Sequence, residues 1–358
     1  MEAHPGNRRG SGAELAVMRA VVKVAAAAGA VELRDLPVPE PGAGEVLVRV
    51  AAASICGSDL HFFNWDKVAQ VFFEPPMTMG HEFSGTVEAL GDGVRGVALG
   101  DRVAAESVVY CGTCAACRRG STQLCANRRL FGIHRAGGMA ELVCVPAQLL
   151  HAVPAALDVR QAAILEPAVV ALHGVLLQPP RPGDRVLVLG PGPVGLLAAQ
   201  AARTMGARVL VAGTPADAAT RLAVARELRL ETLDPSAPTA DAARDVAGGL
   251  ADLVVECSGS GAALASALAA VRPGGAITLI GLFGAPVEVD LSAAIRKELS
   301  IRASYIGTPE DFERALGLIA TGALQVGPLL RPYPLDEALR GFQDALDRSV
   351  MKPLLLPG

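Results

Sequence analysis

Short strand patterns alternate with longer helical patterns from about residue 170 to about residue 305. The strand patterns are apolar runs rich in Val, Leu and Ile, and they include DRVLVLG, ARVLVAG, ADLVVECSG and GAITLIGLFG. Helical patterns such as PVGLLAAQAARTMG and AALASALAAV lie between them. Parallel strands need a long crossover connection, which is usually a helix. The alternation therefore predicts an α/β fold built on a doubly wound parallel sheet.

A glycine-rich turn joins the first of these strands to its helix. The sequence from Gly190 to Gly195 has the pattern G-x-G-x-x-G, and Pro193 and Val194 open the helix. In this setting Gly190 permits a tight turn, Gly192 lets the backbone approach a pyrophosphate, and Gly195 allows close packing of helix on strand. The amides at the helix N-terminus favour phosphate. These residues predict a dinucleotide-binding site.

The end of the second strand bears on which dinucleotide is bound. An Asp or Glu about 20 residues after the glycine turn would hold the ribose 2′-hydroxyl of NAD. Here Gly213 and Thr214 occupy that place, and Asp217 falls beyond the strand end. Arg221 is a candidate partner for a 2′-phosphate, although it also fits a solvated arginine on a helix face. The pattern favours NADP, with NAD as the alternative.

The preceding part of the chain has a different composition. With 358 residues the chain is long enough for two domains. From residue 18 to about 150 it is rich in Gly, Pro and short β-branched runs, which predicts a β-rich domain with many turns. The first 17 residues are predicted to be a disordered leader. The tail contains two amphipathic helical patterns and a short strand pattern, KPLLLP.

Four of the seven cysteines lie within sixteen residues. Cys111, Cys114, Cys117 and Cys125 have the spacing C-x2-C-x2-C-x7-C. Four thiolates from one loop match a closed tetrahedral zinc site, which stabilises a loop and leaves no position for substrate. The alternative is four reduced cysteines without a metal. We predict a structural zinc site here, so the reaction must take place elsewhere.

A second set of metal-binding residue types is scattered along the chain. Cys56 lies in ICGSDLH, His81 and Glu82 lie in MGHEFSG, and Glu166 lies in LEPAVVALHG. Thiolate, imidazole and carboxylate donors together fit zinc with an exchangeable position. Taken singly, they also fit a buried thiol, a buried histidine with its hydrogen bonds made, and surface acids. Their joint presence beside a dinucleotide-binding pattern predicts a catalytic zinc site.

Charge and hydropathy argue against several other classes. The net charge is −4 and no basic stripe stands out, which argues against nucleic-acid binding. No apolar run reaches the roughly 20 residues that span a bilayer. The N-terminal sequence lacks the apolar segment of a secretory signal. These features predict a cytoplasmic protein, and in that compartment clustered cysteines bind metal more often than they form disulfides.

Taken together, the motifs resemble those of the zinc-dependent medium-chain dehydrogenase/reductase family from about residue 18 onward. The motifs that carry the resemblance are CGSDLH, GHEFSG, GDRV, the four-cysteine segment, LEP and GPGPVG. The resemblance implies a GroES-like catalytic zinc domain formed by residues 18–170 and 306–358. It also implies a Rossmann dinucleotide-binding domain at residues 171–305, after which the tail returns to the catalytic domain.

The resemblance also implies roles for individual residues. Cys56, His81 and Glu82 correspond to catalytic zinc ligands, and Glu166 corresponds to a fourth ligand or to one that exchanges through water. Ser58 corresponds to the hydroxyl that passes on the proton of the alcohol, and His61 to the distal member of that relay. Asp59 would support the ligands from behind. The expected metal content is two zinc ions per chain.

The implied reaction is hydride transfer between NAD(P) and a secondary alcohol or its ketone. The expected substrate is a small-molecule polyol, sugar or cyclitol, since LEPAVVALHG resembles sorbitol and iditol dehydrogenases. ICGSDLHFFNWDKVAQ resembles L-threonine 3-dehydrogenases instead, which keeps threonine as an alternative. The alternative from another functional class is a protein that is not an enzyme, binds a nucleotide and holds only the structural zinc. The family implies a homodimer or homotetramer, paired through sheet edges such as AITLIGLFG.

Overall fold

The structure, a computed structural model, describes residues 16–234, 236 and 248–358. The predicted disordered leader covers residues 1–17, and residues 1–15 lie outside the described residues. Its last residue, Val17, pairs with Pro37, and the Ala16 carbonyl accepts the backbone N–H of Val38 at 2.9 Å. The first strand therefore begins one residue before the predicted start at Met18.

The first part of the chain is β-rich, as its turn-rich composition predicts. The central strand β3 pairs antiparallel with β5 and β9, and most of its residues are buried. The strands are β1 Val17–Lys23, β2 Val31–Pro37, β3 Glu45–Ser54, β4 Met77–Thr78, β5 Phe83–Leu90, β6 Arg102–Ala105, β7 Val108–Val109, β8 Arg129–Leu130, β9 Leu142–Pro146 and β10 Leu150–Ala152.

Four helices accompany these strands in the described part of the chain. Three are short, and two residues separate the end of β3 from the start of α1, with Cys56 as its extended N-cap residue. The fourth helix consists mainly of apolar residues, and most of them are buried. They are α1 Gly57–Asn64, α2 Lys67–Phe72, α3 Ala115–Arg118 and α4 Leu165–Leu177.

The next part of the chain forms a six-stranded parallel sheet with the order β13-β12-β11-β14-β15-β16. In sequence order this is 3-2-1-4-5-6, the doubly wound order of dinucleotide-binding folds. The predicted parallel α/β sheet is therefore confirmed. Its strands are β11 Arg185–Leu189, β12 Arg208–Ala212, β13 Glu231–Thr232, β14 Ala251–Glu256, β15 Val271–Leu279 and β16 Ser300–Ala303.

Helices connect these parallel strands, as crossover connections require. The first follows the glycine turn and packs on β11 and β12. Among the described residues they are α5 Pro193–Thr204, α6 Arg221–Glu227, α7 Gly261–Ala270 and α8 Leu291–Arg296. None of the helices in the described ranges is long and apolar enough to cross a membrane.

The edge of the parallel sheet differs from the prediction. The sequence AITLIGLFG was expected to provide a pairing edge, but its four strand residues, 276–279, belong to β15, which lies between β14 and β16. The prediction is wrong because strand order is not contained in a local pattern. The edge strand is β16, and all four of its residues are exposed.

The tail returns to the β-rich part of the chain, as the resemblance implied. Leu354 and Leu355 of the last strand pair antiparallel with Ser54 and Ala53 of β3. This pairing brings Lys352 beside the loop that follows β4. The tail elements are α9 Pro309–Ala320, β17 Leu330–Pro334, α10 Ala338–Leu346 and β18 Lys352–Leu356.

One apolar core joins the tail to the parallel sheet. Leu172 of α4, Leu197 of α5 and Phe312 of α9 are all buried in it. The domain boundary predicted between residues 170 and 171 falls inside α4, which packs on both α5 and α9. This helix therefore forms a shared wall between the two halves of the molecule.

Candidate active site

The four-cysteine segment folds into a compact cluster of sulfurs. The Sγ atoms of Cys111, Cys114, Cys117 and Cys125 lie within 4.8 Å of one another. The Cys114–Cys117 and Cys111–Cys125 pairs are both 3.5 Å apart, and none of these cysteines forms a disulfide. Zn–S bonds of about 2.3 Å place the sulfurs of a tetrahedral site about 3.8 Å apart. The cluster therefore fits a zinc ion.

Local hydrogen bonds prepare these thiols for a cation. The backbone N–H groups of Cys111 and Asn127 donate to Cys125 Sγ at 3.4 and 3.3 Å. Hydrogen bonds from Thr113 lower the pKa of the Cys111 thiol to about 5. Desolvation and contacts with neighbouring thiols raise the pKa of Cys117 to about 12, since clustered thiolates repel one another. A bound cation relieves that repulsion.

A second set of donors meets where β3 and β4 end. Cys56 is the N-cap of α1, and His81 and Glu82 follow a turn at Gly80. That turn needs glycine, because its φ is +95° and an added Cβ would lie 2.5 Å from a carbon of Met139. One ligand atom from each of Cys56, His81 and Glu82 lies within 4.8 Å of the others. The fold thus brings together three of the four predicted catalytic zinc ligands.

The surroundings of His81 also fit a cation. Asp59 is fully buried, and its Oδ2 accepts the Cys56 backbone N–H at 2.9 Å. Asp59 Oδ1 and His81 Nδ1 are 3.9 Å apart, and both are buried without a hydrogen-bond partner among the described residues. Although burial alone would lower it, Cys56 and Asp59 hold the pKa of His81 well above its usual value. The donor set therefore carries an excess of negative charge that a metal ion would offset.

Glu82 has a partner that the sequence did not reveal. The Lys352 ammonium lies 2.8 Å from Glu82 Oε1 and 2.6 Å from Oε2, and the Ser54 hydroxyl donates to Oε2. Glu82 and Lys352 are both buried. The sequence does show one charged residue, Lys352, at the start of the apolar pattern KPLLLP. No local pattern, however, indicates that this lysine pairs with Glu82 of GHEFSG. The Glu82 carboxylate therefore contacts Lys352 and also belongs to the donor set.

Glu166 is also buried, and it lies in the first turn of α4. Its Oε1 accepts the Ser107 hydroxyl at 3.0 Å, and its carboxyl group is not one of the three clustered donors. Burial raises the pKa of Glu166 to about 7, with His81 opposing that shift and Glu82 adding to it. Glu166 therefore lies close enough to interact with His81 and Glu82, but it is not part of the cluster formed by Cys56, His81 and Glu82.

The residues predicted to relay a proton lie on α1. Ser58 Oγ is 3.4 Å from His81 Nε2, so the hydroxyl lies beside the donor set. His61 Nδ1 is paired with Asp66 Oδ2, and Asp66 also caps α2 through its other oxygen. Among the described residues, Ser58 and His61 share no direct hydrogen bond. A relay between them needs a bridging hydroxyl group.

The predicted dinucleotide site lies at the point where the sheet order reverses, between β11 and β14. Gly190 has a φ of +96°, and an added Cβ there would lie 2.9 Å from Ser258. A Cβ at Gly195 would lie 1.9 Å from the Gly190 carbonyl oxygen, whereas one at Gly192 would meet nothing within 4 Å. The space beside Gly192 is therefore open to a ligand. Pro193 and Val194 form the first turn of α5 behind it.

The loop after β12 is held by a buried carboxylate. Asp217 Oδ2 accepts the Thr214 backbone N–H at 2.9 Å and the Thr214 hydroxyl at 2.7 Å. Its Oδ1 faces Arg221 at 3.4 Å and Arg348 at 3.8 Å. Gly213 leaves room for this arrangement, because a Cβ there would lie 2.8 Å from Pro191. Arg348 comes from the tail and was not predicted from the sequence.

Comparisons with known proteins agree with this architecture. Residues 42–155 match the alcohol dehydrogenase GroES-like domain, and residues 193–321 match the zinc-binding dehydrogenase domain. The chain is 35% identical to L-threonine 3-dehydrogenase from Bacillus subtilis, with 95% of this chain and 99% of that protein aligned. It is 33% identical to sorbitol dehydrogenase from Halalkalibacterium halodurans, with 95% and 99% aligned.

A solved structure of a Sinorhizobium meliloti protein with NADP bound has the same fold. Its TM-score is 0.87 at 33% identity, and the match covers 96% of this chain and 100% of the other.

Proposed function

Because the chain belongs to the zinc-dependent medium-chain dehydrogenase/reductase family, we propose that its substrate is a secondary alcohol of a polyol, sugar or cyclitol. The reaction class is that of the family, a hydride transfer between an alcohol and NAD(P). The polyol, sugar or cyclitol class is supported by the 33% identity to a sorbitol dehydrogenase. The observation that carries alcohol oxidation at this site is the position of Ser58, whose hydroxyl lies 3.4 Å from His81 Nε2 beside the three clustered donors. An alcohol hydroxyl in that place has a proton acceptor within reach.

The proposed catalytic metal site consists of Cys56, His81 and Glu82, with Glu166 as a ligand that exchanges. Zinc bound there would supply a Lewis acid that lowers the pKa of a hydroxyl group, and a bound nicotinamide would supply the hydride acceptor. Asp59 Oδ1 lies 3.9 Å from His81 Nδ1, so its carboxyl group supports the imidazole electrostatically and not through a direct hydrogen bond. The Lys352 ammonium contacts both oxygens of Glu82, which restrains the orientation of this carboxylate.

The proposed proton path begins at Ser58 Oγ. This hydroxyl accepts the proton of the substrate and donates its own through a bridging hydroxyl to His61. The pairing of His61 Nδ1 with Asp66 supports this direction, because it places a carboxylate acceptor on the far side of the imidazole ring. Both side chains are partly exposed, so the proton can leave to water from this end of α1.

L-Threonine is the second candidate substrate. The relative at 35% identity is a threonine 3-dehydrogenase, and the ICGSDLHFFNWDKVAQ segment forms α1, the turn at Trp65 and α2 beside the donor set. Trp65 adopts a left-handed conformation there, and its ring packs over the buried Lys23 ammonium at 5.5 Å. That contact supports a structural role for Trp65, so the resemblance of this segment does not by itself select threonine.

The deciding experiment is a substrate panel on a preparation with a measured zinc content. Sorbitol, myo-inositol and L-threonine are offered with NAD and with NADP, and the reduced nicotinamide is followed by its absorbance. We expect about two zinc ions per chain and turnover of a polyol or cyclitol. Turnover of threonine alone would replace the proposal with the second candidate. One zinc ion per chain without turnover of any alcohol would instead support a nucleotide-binding protein.

The assembly and compartment are also proposals. We infer that two copies pair through the exposed edge strand β16, which would extend the sheet across the dimer and leave the donor set in each copy complete. The exposed apolar side chain of Ile301, which belongs to this strand, supports the pairing. The cytoplasm remains the predicted compartment, on the chemistry of the cysteine cluster.

A further inference from the structure

The loop after β12 contains a carboxylate that is buried and already paired within the protein. Asp217 is 3% exposed, and its two oxygens are occupied by Thr214 on one side and by Arg221 and Arg348 on the other. A ribose hydroxyl would need a free carboxylate oxygen at this place. Asp217 therefore does not substitute for the acid that is missing at Gly213.

The two arginines reach this point from different parts of the chain. Arg221 opens α6 in the parallel-sheet domain, whereas Arg348 lies in the turn between α10 and β18. Arg348 has a φ of +56°, a conformation in which Gly or Asn is more common. Its guanidinium is half exposed and lies 3.8 Å from Asp217, so it can reach a ligand in front of the loop. The charged side chain of Arg348 thus occupies a position whose backbone conformation favours Gly or Asn.

The charges around the loop favour an anion. Two guanidinium groups face one carboxylate, which leaves one positive charge on the cluster. Arg221 Nε and Thr220 Oγ1 are buried and have no hydrogen-bond partner among the described residues. Donors of this kind match the planar, bidentate recognition of a phosphate group. The cluster lies at the end of the second parallel strand, where the adenosine ribose of a dinucleotide binds in this sheet order.

We propose that Arg348, together with Arg221, binds the 2′-phosphate of NADP. The inference rests on the proposed function, since it deepens the cofactor site of the same reaction. Arg348 belongs to the tail that packs with the catalytic donors, so NADP would be held by both halves of the molecule. The preference of the protein for NADP over NAD would then depend on a residue outside the dinucleotide-binding domain.

The test measures binding directly and does not depend on turnover or on the zinc content. The full chain is titrated calorimetrically with 2′,5′-ADP and with 5′-ADP, which differ only by the position of one phosphate on the adenosine. Arg348→Asn removes the charge and keeps a residue that tolerates the left-handed conformation. Arg340→Gln is the matched control, because it removes an equal charge from the tail at a residue paired with Glu337 and Asp344.

We expect wild type and Arg340→Gln to bind 2′,5′-ADP more tightly than 5′-ADP. Arg348→Asn should weaken 2′,5′-ADP binding about tenfold, the effect of losing one charge-assisted hydrogen bond, and leave 5′-ADP unchanged. The same variant should bind NADP more weakly while its affinity for NAD stays constant.

Three outcomes would overturn the inference. Equal affinities of wild type for the two nucleotides would show that the 2′-phosphate is not recognised. An unchanged affinity of Arg348→Asn would remove this residue from the site. If neither nucleotide binds, the inference falls together with the proposed dinucleotide site, whereas binding of 5′-ADP alone leaves the proposed function intact.

Discussion

Lys352 balances a buried negative charge beside the proposed metal site. It lies 2.8 and 2.6 Å from the two oxygens of Glu82, and both side chains are buried. Replacing it in Lys352→Met leaves the carboxylate unpaired. Removing one partner of a buried ion pair costs about 3–5 kcal/mol, so we expect a loss of that size in the free energy of unfolding of the zinc-free protein. Urea denaturation followed by circular dichroism measures it.

Lys352→Arg is the control for this variant, because it keeps the charge. It should retain more of the unfolding free energy than Lys352→Met, although the larger guanidinium has to fit the same buried space. Equal stability of Lys352→Met and wild type would contradict the assigned ion pair.

Ser58 has a role that can be separated from metal binding. Ser58→Ala removes the hydroxyl beside His81 and leaves the three donors in place. Positioned proton transfer contributes about 10²–10⁴-fold to rate, so kcat should fall by at least about 100-fold. The zinc content measured by mass spectrometry should stay at the wild-type value. A kcat within a few-fold of wild type would show that the substrate proton leaves by another route.

Sequence alone reached those site residues whose role is written in a local pattern. Cys56 and Ser58 share one short motif, and His81 and Glu82 share another, so their chemistry could be predicted from spacing. Lys352 could not, because it is 270 residues from the carboxylate that it pairs with. Side-chain partners that far apart meet only through the tertiary fold.

At the scale of the element, the turn from β11 into α5 separates folding from binding. A Cβ at Gly195 would lie 1.9 Å from the Gly190 carbonyl oxygen, whereas the space beside Gly192 is open. We therefore expect Gly195→Ala to lower the melting temperature. Gly192→Ala should melt like wild type but bind NADP and NAD about tenfold or more weakly, since its methyl group occupies the place of the pyrophosphate. Thermal unfolding and nucleotide titration of both variants check this contrast.

The two glycine variants serve as each other's control. A Gly192→Ala protein that binds both nucleotides like wild type would contradict a pyrophosphate at that position. The same turn illustrates what sequence can predict about elements: strand, turn and helix are encoded locally, as is their parallel alternation. The order of the strands is not, which is why β15 was expected at an edge that β16 occupies.

At the scale of the whole molecule, β16 provides the proposed surface for pairing. An exposed edge strand presents unpaired backbone groups, and a charged side chain on such an edge opposes pairing. Ile301→Lys should therefore reduce the mass of the particle in solution to that of one chain, as measured by light scattering. Leu339→Lys, an equal change at an exposed apolar residue of α10, should leave the wild-type mass unchanged. Persistence of the dimer in Ile301→Lys would place the interface elsewhere.

The pairing of β18 with β3 also has a consequence for biosynthesis. The ribosome completes β3, Cys56 and the loop bearing Glu82 long before it makes Lys352, which follows Glu82 by 270 residues. The parallel sheet and its helices leave the exit tunnel in between, and domains generally fold as units during synthesis. While the later part folds, the β-rich part therefore has an unpaired edge at β3, and Glu82 lacks its Lys352 partner. Translation pauses before codon 352 would prolong this exposed interval, and a chaperone that shields strand edges would act then.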